Sequence, residues 1–202
     1  MRQRILGLAL AGAAVACAPM TTGMATPRSD LGTSMRRLWT EHVIWTRGYI
    51  VAAVAGDPSA DAQAARLLRN QEDIGNAIVP FYGAAAGQQL TTRLKEHITI
   101  AVDLVTAAKA GNTTAQNDAN RRWRANADQI ATFLSNANPN WPKPVLADML
   151  NRHLDLTTQE AVARLQRDWN ADTRAFDAIL TQALEMADAL TAGIQKQFPG
   201  RA

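Results

Sequence analysis

The chain has 202 residues, of which 47% are hydrophobic, with a formal net charge of +3 and one cysteine. This length allows one domain with a sizeable core, and a single cysteine excludes a disulfide within the chain, so stability must come from packing. The sequence has no block of Lys and Arg and no basic stripe interleaved with aromatic residues, which argues against nucleic acid as the main partner.

Residues 1–17 have the pattern of an export signal. Arg2 and Arg4 precede an apolar run over residues 5–15, and residues 14–16 supply the small side chains of a cleavage site. The run is too short to span a bilayer as an ordinary helix. Removing Arg2 and Arg4 with this segment leaves 19 Lys and Arg against 18 Asp and Glu. We therefore expect an extracytoplasmic protein that is periplasmic, secreted or lipid-anchored at the cell envelope.

Cys17 follows the small residues directly. This arrangement resembles the lipobox of bacterial lipoproteins, although Ala14 stands where leucine is usual. Two alternatives follow: a membrane tether through lipidated Cys17, or an ordinary signal peptide cleaved nearby. Residues 18–30 are rich in Pro, Thr, Met and Gly without periodicity, which predicts a flexible tether.

Helical periodicity dominates the remaining chain, and no segment alternates like a strand. Glycine, proline and capping residues divide the pattern into helices predicted over residues 31–55, 57–79, 84–109 and 113–136. A loop over residues 138–144 follows, and Trp141 within it either pins the loop onto the bundle or is exposed for a protein partner.

Beyond this loop the pattern predicts a short helix over residues 145–154. The sequence Thr157-Thr158-Gln159-Glu160 then has the form of a capping box, which predicts a long final helix over residues 158–197. The predicted fold is all-α, an antiparallel bundle of about five main helices plus one short helix, forming a single domain over residues 31–198.

Polar side chains lie on the otherwise apolar stripes of these helices. His42, His97 and Asp172 fall on inward positions, and Asn126 and Gln71 are close to the same phase. A bundle core normally excludes groups that must be hydrogen-bonded or ligated once they are buried. The sequence therefore predicts one polar layer across the bundle.

Two imidazoles and a carboxylate suit one transition metal ion, either Zn, Fe, Cu or Ni. We thus predict a metal site formed by His42, His97 and Asp172. The reserve ligands are Glu41, Asp103, Asn126 and Asp128. Met149 and His153, spaced i,i+4 on the short helix, are a further pair that could approach a soft metal or haem, but such spacing is common by chance.

Two other interpretations of the layer stay open. A satisfied network of His, Asp and Asn needs no metal, and a catalytic pair would need a cleft that reaches a histidine. The sequence lacks the motifs of serine hydrolases, P-loop proteins, dinucleotide-binding folds, zincins, c-type haem proteins and carboxylate-bridged di-iron bundles. We therefore predict a bundle that binds a metal ion or small ligand, or alternatively a non-catalytic envelope protein with residues 138–144 as its partner contact.

Three stretches carry a resemblance to a known family. Leu38-Trp39-Thr40-Glu41-His42-Val43-Ile44-Trp45-Thr46-Arg47, Asn138-Pro139-Asn140-Trp141-Pro142 and Gln197-Phe198-Pro199 are similar to a family of small exported bacterial helical proteins without an established activity. Some members carry the name glycosyltransferase, which these residues do not support because such folds need nucleotide-binding α/β sheets. The resemblance implies a helical fold and export, and it implies no mechanism.

Overall fold

A computed structural model describes residues 30–201. The predicted signal segment 1–17 and all but the last residue of the predicted tether 18–30 lie outside the described residues. The helices are α1 (Leu31–Ala55), α2 (Ala60–Ala77), α3 (Val79–Tyr82), α4 (Ala84–Lys109), α5 (Thr113–Ala137), α6 (Lys143–Gln166) and α7 (Trp169–Gln197). Within residues 30–201 there is no strand, and no helix is long and apolar enough to cross a membrane.

The six long helices of this region form a closed antiparallel ring in the order α1, α2, α4, α5, α6, α7. Helix α7 closes the ring against α1, and the register is visible in two contacts: Gly32 lies beside Thr191, and Arg47 bonds Asp172. Neighbours run in opposite directions, so α1, α4 and α6 point the same way. The predicted all-α antiparallel bundle is confirmed, with six long helices and the single turn α3 rather than five long helices and a short one.

Helix α6 is longer than the sequence pattern indicated. It runs without a break through the predicted capping box, so the predicted helix boundary at residues 154–158 was wrong. The hydroxyl of Thr157 donates to the carbonyl of His153, four residues earlier in the same helix, at 2.9 Å. The break comes instead at Arg167, which has a left-handed φ of 59°, and the Asp168 side chain caps α7 by accepting from the amide of Ala171.

The loop between α5 and α6 is pinned onto the bundle by Trp141. Its indole is 4% exposed, packs 5.8 Å from the ring of Tyr82, and lies against the α7 backbone at Gly193. Of the two interpretations of Trp141, pinning is therefore the one observed. The partner contact at residues 138–144 remains a prediction.

All six long helices contribute apolar side chains to one core. Met35, Ile74, Leu94, Ile130 and Ile194 are each at most 6% exposed. Burying each such side chain stabilises the fold by about 1.5–3 kcal/mol relative to leaving it exposed. This packing holds α1, α4 and α6 at fixed heights and so brings their polar residues into register.

Candidate functional site

All three histidines of the chain meet in one buried layer. His42 on α1, His97 on α4 and His153 on α6 are 4%, 5% and 4% exposed. The ring centroids of His42 and His153 are 5.6 Å apart, and the same cavity touches all three imidazoles. We call these three residues, together with their amide partners Gln71, Asn126 and Gln182, the histidine layer.

Each imidazole contacts a side-chain amide on the next long helix through its Nδ1 atom. The pairs are His42–Gln71 (3.2 Å), His97–Asn126 (2.8 Å) and His153–Gln182 (3.0 Å). In every pair the two residues are 29 positions apart in the chain. Three helix hairpins with the same spacing between histidine and amide therefore form the layer.

A second contact repeats with the same register. The carbonyl four residues before each histidine, at Leu38, Arg93 or Met149, accepts a hydrogen bond from a side-chain amide of the following helix. In the second and third hairpins the donor is the amide that also contacts the histidine, whereas in the first hairpin it is Asn70, the neighbour of Gln71. Intervals of 55 and 56 residues separate the three histidines, and the same intervals separate the three paired amides.

These contacts determine where the protons lie on two of the rings. The Asn126 nitrogen donates to the Arg93 carbonyl, so its oxygen must face His97. Gln182 is oriented in the same way, since its nitrogen donates to a backbone carbonyl and its oxygen faces His153. An amide oxygen only accepts, so both histidines carry a proton on Nδ1, and in the neutral ring Nε2 has a free lone pair.

The pKa values of the layer favour neutral rings. Burial lowers the pKa of His97 to about 4, although the bond to Asn126 acts in the opposite direction. Burial also lowers the pKa of His153. For His42, burial together with the neighbouring imidazoles of His153 and His97 holds the pKa well below its ordinary value. All three rings are therefore uncharged near pH 7.

The layer separates two small cavities along the bundle axis. One, of about 50 Å³, is lined by the three histidines and by apolar side chains, together with Tyr49, Gln116 and three threonines. The other, of about 40 Å³, lies towards the start of α1, α4 and α6 and has an almost wholly apolar lining. A water molecule needs at least about 10–15 Å³, so the first cavity has room for an ion or a few waters beside the imidazoles.

Each ring of the layer makes its hydrogen bond through Nδ1, and within residues 30–201 the fully buried polar atoms without a partner include Gln71 Oε1 and no histidine nitrogen. Trp123, whose ring lies 5.1 Å from that of His97, also lines the 50 Å³ cavity, and its Nε1 is buried without a partner in the same part of the chain. Unpaired buried polar atoms cost about 1–3 kcal/mol each, so this cavity favours an occupant that bonds to them.

Asp172, the third predicted ligand, lies in a different cluster from the histidines. Its carboxylate accepts two hydrogen bonds from Arg47, at 2.9 and 3.0 Å, and one from Arg164 at 2.9 Å. Glu160 joins the cluster through Arg47 at 2.6 Å. Burial acts to raise the pKa of Asp172, but the two arginines outweigh it and hold that pKa below its ordinary value. Burial raises the pKa of Glu160 to about 7, even though Arg47 acts to lower it.

The reserve ligands are dispersed. Asn126 belongs to the histidine layer as the partner of His97, while the three carboxylates form ion pairs elsewhere: Glu41 with Arg37 and Arg66, Asp103 with Arg122, and Asp128 with Lys143. Among residues 30–201, no group of three or more His, Cys, Asp or Glu side chains is already arranged to hold a metal ion. The residues brought together are thus three imidazoles with amide partners and no carboxylate.

His153 and Gln182 are the members of the layer that the sequence pattern did not indicate. His153 was considered only with Met149, whose carbonyl bonds the Gln182 amide. A signal for both was present, because the intervals of 55 and 56 residues recur in the histidines and in the amides. No protein-family model, curated protein or solved structure matches this chain.

Proposed function

We propose that this protein binds one transition metal ion in the histidine layer, with Nε2 of His97 and Nε2 of His153 as ligand atoms. The observation that carries the proposal is the pair of buried, neutral imidazoles whose Nδ1–H is donated to an amide oxygen, so that the lone pair of each ring lies on Nε2. Metal-binding histidines commonly donate their other ring nitrogen to an oxygen in this way, since that bond orients the ring and fixes its tautomer.

The chemistry of the layer selects the class of ion. Neutral imidazole is a borderline nitrogen donor that suits Zn, Cu, Fe or Ni, and affinity generally rises along the series to Cu²⁺. The low pKa values support binding, because a ring that is already neutral need not lose a proton to the solvent. An extracytoplasmic location, expected from residues 1–17, belongs to the same proposal.

The test uses the full-length untagged chain carrying Cys17→Ser, so that the layer holds the remaining strong nitrogen and sulfur donors. The protein is dialysed against Zn²⁺ or Cu²⁺, and the bound metal is counted by elemental analysis. We expect one ion per chain, and we expect His97→Asn and His153→Asn to weaken binding more than about 100-fold, beyond the effect of losing an outer-shell partner. In both variants the asparagine nitrogen takes the place of Nδ1, so the amide partner stays bonded.

Tyr49→Phe is the matched control, because Tyr49 lines the same cavity and the change removes no ligand atom. It should bind the ion as the parent does. A parent chain that retains no ion, or asparagine variants that bind as well as the parent, would contradict the proposal.

A second function is favoured by one observation. No group of three ligand-type side chains in residues 30–201 is arranged around a single metal position, and every imidazole already has an amide partner. We infer that, if no ion binds, the layer specifies the register of three hairpins in a non-catalytic envelope protein. Loss of a histidine would then change the free energy of unfolding and nothing else.

A further inference from the structure

The first hairpin differs from the other two in the direction of its amide. Asn70 donates from Nδ2 to the Leu38 carbonyl at 3.0 Å, so its Oδ1 faces the other way and accepts from Gln71 Nε2 at 3.1 Å. Gln71 Nε2 also lies 2.9 Å from the Leu67 carbonyl, so its two N–H groups are shared among three acceptors, the third being Nδ1 of His42 at 3.2 Å, while Gln71 Oε1 is buried without a partner within residues 30–201. Turning the Gln71 amide around would place its oxygen against two other oxygens, so its nitrogen must face His42.

This orientation reverses the tautomer of His42. Its Nδ1 lies 3.2 Å from Gln71 Nε2, an amide nitrogen that cannot accept, so a proton on Nδ1 would face another donor and Nδ1 is the accepting atom of the ring. A neutral imidazole carries one proton, which therefore lies on Nε2. An N–H nitrogen has no free lone pair to give to a metal ion, whereas the Nε2 atoms of His97 and His153 do.

We infer that His42 is not a ligand of the bound ion but a hydrogen-bond donor to an exchangeable oxygen ligand on it, such as water. This inference rests on the proposed function and assigns different roles to three residues of the same type. The layer then supplies two nitrogen ligands and one N–H donor at the wall of one cavity.

The size and lining of the cavity fit this assignment. Two imidazoles leave an ion such as Zn²⁺ short of the four ligands it normally takes, so oxygen ligands must complete its shell. The cavity of about 50 Å³ can hold such ligands, and within residues 30–201 no third ligand-type side chain is arranged to take their place. A polar donor at His42 holds an oxygen ligand in a site whose other walls are mainly apolar.

The experiment counts imidazoles on the ion directly. The full-length Cys17→Ser chain is loaded with Cu²⁺ and studied by pulsed electron paramagnetic resonance, which detects the remote nitrogen of every coordinated imidazole. We expect two coordinated imidazoles in the parent, two in His42→Asn and one in His97→Asn. In D₂O the parent should also show exchangeable deuterons from an oxygen ligand.

The outcomes separate the inference from the proposed function. Three coordinated imidazoles in the parent, or fewer in His42→Asn than in the parent, would overturn the role given to His42 while metal binding stands. A parent that takes up no Cu²⁺ would overturn both. The count in the parent needs no substitution in the layer, so the result does not depend on how well His42→Asn folds. That variant should bind Cu²⁺ about 10–100-fold more weakly, as expected for loss of an outer-shell partner.

Discussion

The Nδ1 atom of His153 on α6 donates a hydrogen bond to Oε1 of Gln182 on α7 at 3.0 Å. The same glutamine donates to the carbonyl of Met149, one turn before the histidine, so one amide satisfies a side chain and a backbone group of the neighbouring helix. His97 and Asn126 repeat this arrangement between α4 and α5. Such contacts cross-link the two helices of a hairpin at a defined height.

Gln182→Leu should destabilise the protein by about 1–3 kcal/mol, because it leaves the His153 Nδ1–H buried without a partner and removes the second hydrogen bond of the Met149 carbonyl. Urea denaturation measures this change in the free energy of unfolding. Gln159→Leu, at an exposed position of α6, is the control and should change stability by less than about 0.5 kcal/mol. Equal effects from the two substitutions would show that the amide contact contributes little.

Asp172→Asn should destabilise the protein by about 1–3 kcal/mol, because it removes the carboxylate that accepts hydrogen bonds from two partly exposed arginines, of which Arg47 keeps Glu160 as a partner. The Asp172 side chain is 2% exposed and forms ion pairs with both Arg47 and Arg164. Thermal and urea denaturation measure the loss. Asp177→Asn, at an exposed position one turn and a half further along α7, should be nearly neutral, and a similarly mild effect at position 172 would contradict this role.

Stability should fall as the pH drops from 6.5 towards 4. His97 has a pKa of about 4 in the folded protein, so below pH 6.5 the folded protein binds fewer protons than the unfolded chain. The free energy of unfolding is therefore highest above pH 6.5 and falls as the pH drops towards 4. For His97 alone the loss amounts to about 3 kcal/mol by pH 4. Denaturation curves at several pH values measure it, and His97→Asn should make the dependence shallower.

Glu160 acts in the opposite direction over part of this range. Its pKa is raised to about 7, so its contribution to stability is present below pH 4.5 and is lost as the pH rises through 7. Glu160→Gln should remove this pH dependence. The fall in the free energy of unfolding on acidification, which we attribute to His97, should then be steeper than in the parent. If His97→Asn and the parent show the same pH dependence in a Glu160→Gln background, the neutral buried imidazole does not control acid stability.

Gly193→Ala should destabilise the protein by about 1–3 kcal/mol through overpacking. A Cβ atom at this position would lie 1.9 Å from Nε1 of Trp141, so the indole that pins the α5–α6 loop would have to move. Thermal denaturation measures the effect. The same substitution in a Trp141→Phe background should cost less, since the smaller ring leaves space; an equal cost in both backgrounds would place the strain elsewhere.

Much of the fold could be predicted because helix signals are local. Gly56 ends α1 in a left-handed conformation, and Asn112 caps α5 by accepting from the amide of Ala115, as the sequence indicated. The wrongly predicted helix boundary near Thr157 also arises because these signals are local. A Thr hydroxyl can cap a helix or bond the carbonyl four residues earlier within one, and the sequence pattern does not distinguish the two.

The candidate site could be predicted only in part. The sequence predicts inward positions for His42 and His97 and a similar phase for Gln71 and Asn126, which needs only the helical period, and all four are buried. Asp172 is also buried, but it lies near the start of α7, ten residues before Gln182 and hence about 15 Å further along the helix axis. Depth in the bundle therefore separates it from the histidine layer.

The amino-acid sequence by itself determined the helices, their apolar faces and the choice of three histidines and three amides at repeated intervals, because these depend on residues a few positions apart. Only the tertiary structure decided which of them meet. Arg47 contacts Asp172 from 125 positions away, and His153 lies beside His42 across the bundle, because the six long helices pack around one core at fixed relative heights. Those heights are set by packing summed over the whole core, which no local pattern of residues contains.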